Sequence, residues 1–567
     1  MTNAGTRGPT TVRKALTVAT GPDLRRGVQS FRLAVVDRDR LIGYADCRMA
    51  HWPPDCNIVF GNEPWGIYFS SRGGSNGILT YVLAALDDGN RPDRSSIGGH
   101  MHLRRKHLFL AAAIGTYILV HAPNASPDQF TVPVIYYTLP NGLRVVLSAD
   151  HTAPTVVTAV YYRIGFRIEP KDRTGFAHLF EHMMFQGSQN LGKMEFIRLV
   201  QQNGGILNGS TRFDFTNYFE LLPANKLETA LWAEADRMKG LAITDENLKN
   251  QKGVVGNEVK VNVLNQPYGG FPWLWIPQYA NTNWYNSHNF YGELKDIEAA
   301  TLDEVQRFFK TYYAPNNAAL ALVGDFEPET AQTLVEKYFG PIPKSDVPAA
   351  PDLAEPRQEK EIKATRKDAL ANRPALAFGY HMPSRNTPQY YAMGLLDQML
   401  TQGDDSFFYQ ELVKRHGYTG EISGGINVDL GDMFDYDGPM LWTTYLTHDP
   451  GVTADQIMAS VDSVIYSLQS KPVEQKLLDR NLTKMRSFIY DSMGRFGGFG
   501  RANMLACFAL FDNDPSEINA LESNFRKVTP EAIQETAREY LRKTNRTVLV
   551  LEPGATKAAA ASAGGER

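Results

Sequence analysis

The chain has 567 residues, a net charge of -4 and three cysteines. This length exceeds one ordinary domain and predicts several folded units. The slight negative charge argues against a dedicated nucleic-acid binder, and three cysteines are too few for a disulfide framework or a thiolate zinc site.

The first hundred residues are rich in Arg, Gly, Pro and Asp, and they show no lasting helical or strand periodicity. We expect residues 1–100 to be a disordered or mis-annotated extension, with translation starting at Met101. Residues 101–125 have the layout of a secretory signal: a basic stretch, an apolar run over 108–120, then small residues. This pattern predicts a periplasmic or secreted protein. A membrane anchor through 108–120 is the alternative, although the run is shorter than the roughly 20 residues of a membrane span.

Regular patterns begin near residue 130. Alternating and β-branched residues predict three strands, followed by a helix over 174–186 that ends at Gly187. The predicted strands cover 134–138, 143–148 and 155–164. The proline-containing segment 344–370 predicts a linker, and the Ala/Gly-rich tail 555–567 predicts disorder. The folded chain would therefore consist of a first half over 130–343 and a second half over 371–554.

The two sides of the predicted linker resemble each other. Segment 179–187 (LFEHMMFQG) aligns with 395–403 (LLDQMLTQG), and 301–306 (TLDEVQ) aligns with 529–534 (TPEAIQ). After the second match, Tyr312 and Asn317 correspond to Tyr540 and Asn545. Two matches in the same order favour a duplicated domain over chance similarity of amphipathic helices. We therefore predict an α+β fold of two similar halves, each a mainly antiparallel sheet packed against helices.

The segment from His178 to His182 reads His-Leu-Phe-Glu-His. Its two imidazoles are four residues apart, so they project from one face of a helix. Zinc suits two imidazoles and one carboxylate, with a fourth position left for water. Glu181 shares that face and could accept a proton from a zinc-bound water as a general base.

A lone motif of this kind is a weak signal, because a solvent-facing helix can carry the same residues. Here the neighbouring residues are apolar, so the helix is expected to be buried, and burying unliganded histidines would be expensive. The second copy has Gly394, Asp397 and Gln398 at the corresponding positions. The fold itself therefore does not need the histidines.

A third ligand must come from elsewhere in the chain. Glu258 lies in a stretch with helical spacing and is our candidate. Spacing alone does not distinguish it from Glu234 or Glu246.

Residues from about 130 to 554 resemble the pitrilysin and mitochondrial processing peptidase family, the inverzincins, in its bacterial short form with two halves. The resemblance is carried by 173–187 (RTGFAHLFEHMMFQG), 208–211 (NGST) and 254–258 (VVGNE). It implies one zinc ion per chain held by His178, His182 and Glu258, with Glu181 as the general base. It also implies two similar halves that enclose a chamber.

The resemblance further implies that residues 208–215 form an edge strand near the metal. Such a strand would bind substrate by adding the peptide to the sheet. The candidate substrate-binding residues are Asn208, Gly209, Ser210 and Thr211. An ordinary polar strand face is the alternative for these residues.

Two departures from the family pattern matter. Many relatives have an accessory glutamate seven residues before the third ligand, where this chain has Gln251. An amide can orient a ligand by hydrogen bonding, but it is not a carboxylate. Relatives often place an Arg and a Tyr over the substrate carbonyl, and the matching region 438–445 contains no such pair. We therefore expect a homologous partner chain to supply the Arg/Tyr pair in a heterodimer, with a homodimer as the alternative.

Together these features predict a zinc-dependent endopeptidase that hydrolyses peptides or unfolded protein segments. The alternative from a different class is a non-catalytic or partner-dependent assembly subunit that retains the metallopeptidase fold. No nucleic-acid partner is expected.

Overall fold

The computed structural model describes residues 130–554 and six strands that precede them. These strands form two three-stranded antiparallel sheets, in the orders β1-β2-β3 and β4-β5-β6. They are β1 (Leu16–Val18), β2 (Gln29–Asp37), β3 (Arg40–Met49), β4 (Cys56–Phe60), β5 (Ile67–Gly73) and β6 (Gly77–Val82). They lie within the segment 1–100, whose sequence shows no lasting periodicity. That this segment is a disordered or mis-annotated extension stays a prediction.

Two further predictions lie outside the described residues: the signal-like segment 101–125 and the disordered tail 555–567. Within the described part, no helix is both long enough and apolar enough to cross a membrane.

The first half builds a six-stranded sheet with helices packed on it. Its strands are β7 (Ile135–Thr138), β8 (Arg144–Ala149), β9 (Thr155–Tyr162), β10 (Ile206–Thr211), β11 (Thr216–Pro223) and β12 (Ala318–Gly324). Its helices are α1 (Phe176–Met183), α2 (Glu195–Gln202), α3 (Leu227–Lys239), α4 (Asp245–Val259), α5 (Trp275–Ala280), α6 (Trp284–Ser287), α7 (Leu294–Ala299), α8 (Leu302–Tyr312) and α9 (Pro328–Phe339). A π-helical turn, Lys260–Leu264, extends α4.

The second half builds a five-stranded sheet. Its strands are β13 (Ile362–Asp368), β14 (Ala375–His381), β15 (Ser423–Ile426), β16 (Leu441–Thr447) and β17 (Arg546–Pro553). Its helices are α10 (Pro388–Leu400), α11 (Ala454–Ser470), α12 (Gln475–Gly494), α13 (Phe499–Phe511), α14 (Leu521–Arg526) and α15 (Pro530–Tyr540). The predicted linker ends before residue 362, because the segment after it forms β13 by pairing with the distant strand β17.

The two sheets have the same topology over five strands, and β7 is an additional edge strand of the first sheet. The first sheet has the order β10-β11-β9-β12-β8-β7, and the second has the order β15-β16-β14-β17-β13. Each is antiparallel except for one parallel pair, which is β12 with β8 and β17 with β13. The Asn317 side chain donates to the carbonyl of Tyr312 at 2.9 Å, as Asn545 does to Tyr540 at 2.7 Å. The predicted α+β fold of two similar halves is confirmed.

Each half contributes one helix that packs on the sheet of the other half. Helix α13 from the second half packs on β8, β9 and β12, where it contacts the sheet face that carries Val157, Ala159 and Tyr161. Helix α5 from the first half covers the outer face of β14 and β17. The opposite face of the first sheet carries α1 and its neighbouring helices, through Val160 and Tyr162. Because strand side chains alternate between faces, α13 and α1 lie on opposite sides of the first sheet.

Candidate metal centre

The start of α1 is held by a buried carboxylate and by a close backbone contact. Glu169 accepts hydrogen bonds from the backbone N–H groups of Gly175 (2.8 Å) and Ala177 (2.6 Å). These donors would otherwise lack partners at a helix N-terminus. Gly292, at φ +86°, lies so close to Gly175 that a Cβ on it would be 2.5 Å from the Gly175 Cα. The helix therefore starts at a defined position beside the segment that contains Gly292.

Helices α1 and α4 pack together and bring three predicted ligands into one cluster. His178 Nε2 is 3.5 Å from Glu258 Oε1, and His182 Nε2 is 3.2 Å from Glu258 Oε2. Two ligands of one tetrahedral zinc ion, with bonds of roughly 2.0–2.1 Å, lie roughly 3.3 Å apart. The spacing and chemistry of these atoms therefore fit a zinc ion. Within the part of the chain that the structure describes, this is the only group of three or more His, Cys, Asp or Glu that could hold a metal.

The other two glutamates considered from spacing lie elsewhere. Glu234 is fully buried in α3, where its carboxylate accepts a hydrogen bond from Arg237 Nε at 2.8 Å. Glu246 is exposed in the first turn of α4. Of these three glutamates, tertiary packing therefore brings only Glu258 to the two histidines.

The charges in the cluster shift the pKa values of its members. Hydrogen bonds from His178, His182 and Tyr291 hold the pKa of Glu258 well below its usual value. Burial lowers the pKa of His182, but hydrogen bonds with Glu258 and Gln251 and the nearby negative charges outweigh burial and raise it overall. Gln251, at the position where the family resemblance implies an accessory glutamate, is buried beside His182.

Glu181 points from α1 toward β10. Its Oε2 accepts a hydrogen bond from the Thr211 hydroxyl at 2.7 Å. Gly209 faces the same way, because a Cβ placed on it would be 3.3 Å from the Glu181 Cγ. Ser210 lies on the other face of the strand, where its hydroxyl donates to Asn217 at 2.5 Å. Two of the four candidate substrate-binding residues thus lie against the predicted base.

Strand β10 is an edge of the first sheet. The predicted edge strand over 208–215 was displaced, since the strand covers Ile206–Thr211 and the chain turns before β11. The turn is closed by the Arg212 N–H, which donates to the carbonyl of Phe215 at 2.8 Å. The Gly209 N–H donates to its neighbour's side chain, Asn208 Oδ1, at 2.9 Å. This N–H therefore points away from β11, toward the free edge.

In the second half, the position equivalent to the cluster is filled with protein atoms. A Cβ on Gly394 would be 2.9 Å from the Met433 Cε. Asp397 is buried and accepts hydrogen bonds from Trp442 Nε1 (2.8 Å) and Thr401 (2.7 Å). Burial raises the pKa of the Asp397 carboxyl. The second copy of this helix therefore has a packing role.

Tyr291 belongs to the cluster, although the sequence analysis did not identify it. Its hydroxyl donates to Glu258 Oε1 at 2.7 Å, and its ring stacks on His178 with 4.9 Å between centroids. It lies in a loop without periodicity, so no local sequence signal distinguished it. Segment 438–445, where the family resemblance implies an Arg/Tyr pair, includes the start of β16, and the Tyr445 hydroxyl donates to Asp429 Oδ1 at 3.4 Å.

Two family models match the chain. The insulinase model (peptidase family M16) matches residues 144–268, which include His178, Glu181, His182 and Glu258. The model of the peptidase M16 inactive domain matches residues 299–485, the end of the first half and most of the second. The residues that match the inactive-domain model therefore do not include the candidate metal centre.

Individual relatives agree with these matches. Zinc protease PqqE of Helicobacter pylori is 25% identical over 443 residues, which cover 76% of this chain and 95% of that protein. A crystal structure of a protease from Helicobacter pylori aligns with a TM-score of 0.67 at 24% identity, covering 74% of this chain and 100% of that chain. The periplasmic protease PqqL from Escherichia coli aligns with a TM-score of 0.60 at 16% identity, covering 76% of this chain and 49% of that chain. These structural likenesses show a shared fold.

Proposed function

Since the chain belongs to peptidase family M16, the pitrilysin family, we propose that it is a zinc-dependent endopeptidase acting on peptides or unfolded protein segments. His178, His182 and Glu258 would hold one zinc ion. The observation that carries the proposal is the convergence of two imidazole nitrogens and a carboxylate at 3.2–3.5 Å, with Glu181 on the same helix.

In this proposal each residue near the metal has one task. A bound zinc ion lowers the pKa of a water molecule and polarises the carbonyl that is attacked. Glu181 accepts the proton of the attacking water and later donates a proton to the leaving amine. Thr211 holds one oxygen of the Glu181 carboxylate at 2.7 Å and so orients it. Gln251 contacts His182 and orients that ligand.

The substrate would bind as an added strand. Strand β10 is an edge beside Glu181, and the Gly209 N–H points away from the sheet. An added strand is recognised mainly through its main chain, so affinity depends little on sequence. The Asn208 side chain, which now accepts from that N–H, would move aside when a peptide binds.

We further propose that a homologous partner chain covers the metal. The second half packs on the sheet face opposite α1, and segment 438–445 contains no arginine. Groups that stabilise the oxyanion usually contribute a large part of the rate. The purified chain alone should therefore hydrolyse a quenched peptide slowly. Full activity as a monomer or homodimer would contradict this proposal.

Export from the cytoplasm is part of the same proposal. It is supported by the signal-like segment 101–125 and by the periplasmic relative in Escherichia coli. N-terminal sequencing of the mature protein tests it, and a mature N-terminus before residue 101 would contradict it.

The substitution Glu181→Gln tests the peptidase proposal. It removes the base but leaves the three proposed ligands, so zinc content should stay near one ion per chain while cleavage falls by about 10²–10⁴-fold. Glu246→Gln is the matched control, because Glu246 is an exposed glutamate on α4, and this variant should cleave normally. Wild-type protein that binds zinc and peptide without cleaving would instead support a non-catalytic subunit.

A further inference from the structure

Metal-binding histidines usually donate their second ring N–H to a neighbour, and this bond fixes the orientation of the ring. His178 differs, because its Nδ1 is buried without a hydrogen-bond partner among the described residues. Something else must orient the ring. Tyr291 stacks on it, with centroids 4.9 Å apart and planes inclined by 28°.

The hydroxyl of Tyr291 acts on a second proposed ligand. It donates to Glu258 Oε1 at 2.7 Å, a length typical of a bond to a carboxylate. The other oxygen, Oε2, lies 3.2 Å from His182 Nε2. A donor on Oε1 would make that oxygen a poorer metal ligand than Oε2, and Glu258 would then hold the ion through Oε2 alone. Binding through one oxygen leaves a coordination position for water.

The position of Tyr291 is itself constrained. The next residue, Gly292, abuts Gly175 at the start of α1, and Trp273 packs edge-on against the Tyr291 ring at 5.6 Å. Glu293 donates its N–H to the Thr174 hydroxyl at 2.9 Å, which ties the loop to the residue before Gly175. The ring is therefore held against the helix that carries both histidines.

We infer that Tyr291 is a positioning residue for the zinc site: its ring orients His178, and its hydroxyl selects the oxygen of Glu258 that binds the metal. This inference rests on the proposed zinc peptidase function. The two contributions are separable, because phenylalanine keeps the ring and lacks the hydroxyl, whereas leucine lacks both.

The test is the zinc dissociation constant, measured by competition with a chromogenic chelator. Loss of a group that orients a metal ligand typically weakens metal affinity by about 10–100-fold. We expect Tyr291→Phe to weaken zinc binding by about 10-fold and Tyr291→Leu by about 100-fold. Tyr338→Phe is the matched control, because Tyr338 also donates to a carboxylate at 2.7 Å, that of the exposed Glu228 on α3. This control should bind zinc like the wild type.

Two further measurements distinguish a loss of ligand positioning from a loss of folding. Melting of the metal-free proteins should show Tyr291→Phe folded, and peptide cleavage by Tyr291→Phe should return to within a few-fold of wild type at saturating zinc. Unchanged zinc affinity in both Tyr291 variants, or activity that stays lost at saturating zinc, would overturn the inference. If the wild type itself binds no zinc, the proposed function fails as well. If the wild type binds zinc and cleaves peptide, and both Tyr291 variants bind zinc as tightly as the wild type, the inference about Tyr291 fails and the proposed function stands.

Discussion

At the scale of single residues, the hydroxyl of Thr211 is the only side-chain group that the described structure records as donating to Glu181. Substitution by valine keeps the shape of the side chain and removes this donor. Because a misoriented base affects proton transfer and leaves the metal ligands unchanged, Thr211→Val should lower kcat about 10-fold at unchanged zinc affinity.

The matched control for this change is Ser210→Ala. Ser210 is also a candidate substrate-binding residue, but its hydroxyl bonds Asn217 on the face of β10 opposite Glu181. Because an added strand is bound mainly through the main chain, alanine at this position keeps the groups that would bind substrate. Steady-state kinetics with a quenched peptide should show this control close to wild type. Equal losses in the two variants would mean that the strand as a whole matters and that the bond to Glu181 has no separate role.

Residue-scale features differ in how far the sequence could predict them. The pair of histidines with Glu181 is visible because their spacing of three and four residues is a local property of a helix. Glu258 needed a family resemblance, since Glu234 and Glu246 fit the spacing equally well. Tyr291 was missed because only the loop fold brings it to His178.

At the scale of elements, two glycines near the candidate metal centre differ in whether a side chain would fit in their place. Gly253 lies in α4, and a Cβ on it would meet nothing within 4 Å. Gly253→Ala should therefore raise the free energy of unfolding by about 0.5–1 kcal/mol, because glycine is a poor helix former. Gly292 has φ +86°, and a Cβ on it would be 2.5 Å from the Gly175 Cα.

Because of this positive φ and the close contact with Gly175, Gly292→Ala should lower the free energy of unfolding by about 1–3 kcal/mol. It should also weaken zinc binding, since the start of α1 and the Tyr291 loop would move apart. Chemical denaturation of the metal-free proteins measures the change in the free energy of unfolding for Gly253→Ala and for Gly292→Ala. Competition with a chelator measures the change in zinc affinity. A neutral Gly292→Ala would show that the close contact between the loop and α1 is not needed.

The three strands and the helix predicted at the start of the first half agree with the structure to within a few residues, and the errors have specific causes. The helix predicted over 174–186 is α1, which begins only after Gly175, in the left-handed region at φ +87°. The last part of the predicted linker forms β13, because this segment pairs with β17. Long-range pairing of this kind leaves little trace in a local pattern.

At the scale of the whole molecule, a buried ion pair within the first half makes hydrogen bonds to the second half. Arg167 in the first half pairs with Asp214 at 2.9 Å and donates to the carbonyl of Pro439 in the second half at 2.7 Å. Asp214 in turn accepts from the backbone N–H of Asp437 at 2.7 Å. Arg167→Ala would leave a buried carboxylate without its partner, which typically costs about 3–5 kcal/mol.

An exposed ion pair between the halves is the natural control. Arg163 pairs with Asp437 at 2.5 Å, but both side chains are about one-third exposed. Exposed pairs contribute about 0–1 kcal/mol, so Arg163→Ala should have a small effect on the same unfolding transition. Similar losses in the two variants would show that burial of Arg167 is not the source of the difference.

The sequence by itself determined the family, the duplicated α+β fold and the helix with His178, Glu181 and His182. These conclusions were accessible because motif spacing and repeated segments are properties of neighbouring residues. Only the tertiary structure decided that Glu258 and Tyr291 meet the histidines, that β10 is the free edge beside Glu181, and that the second half packs on the sheet face away from α1. Each of these depends on contacts between segments far apart in the chain, which packing brings together and local patterns do not specify.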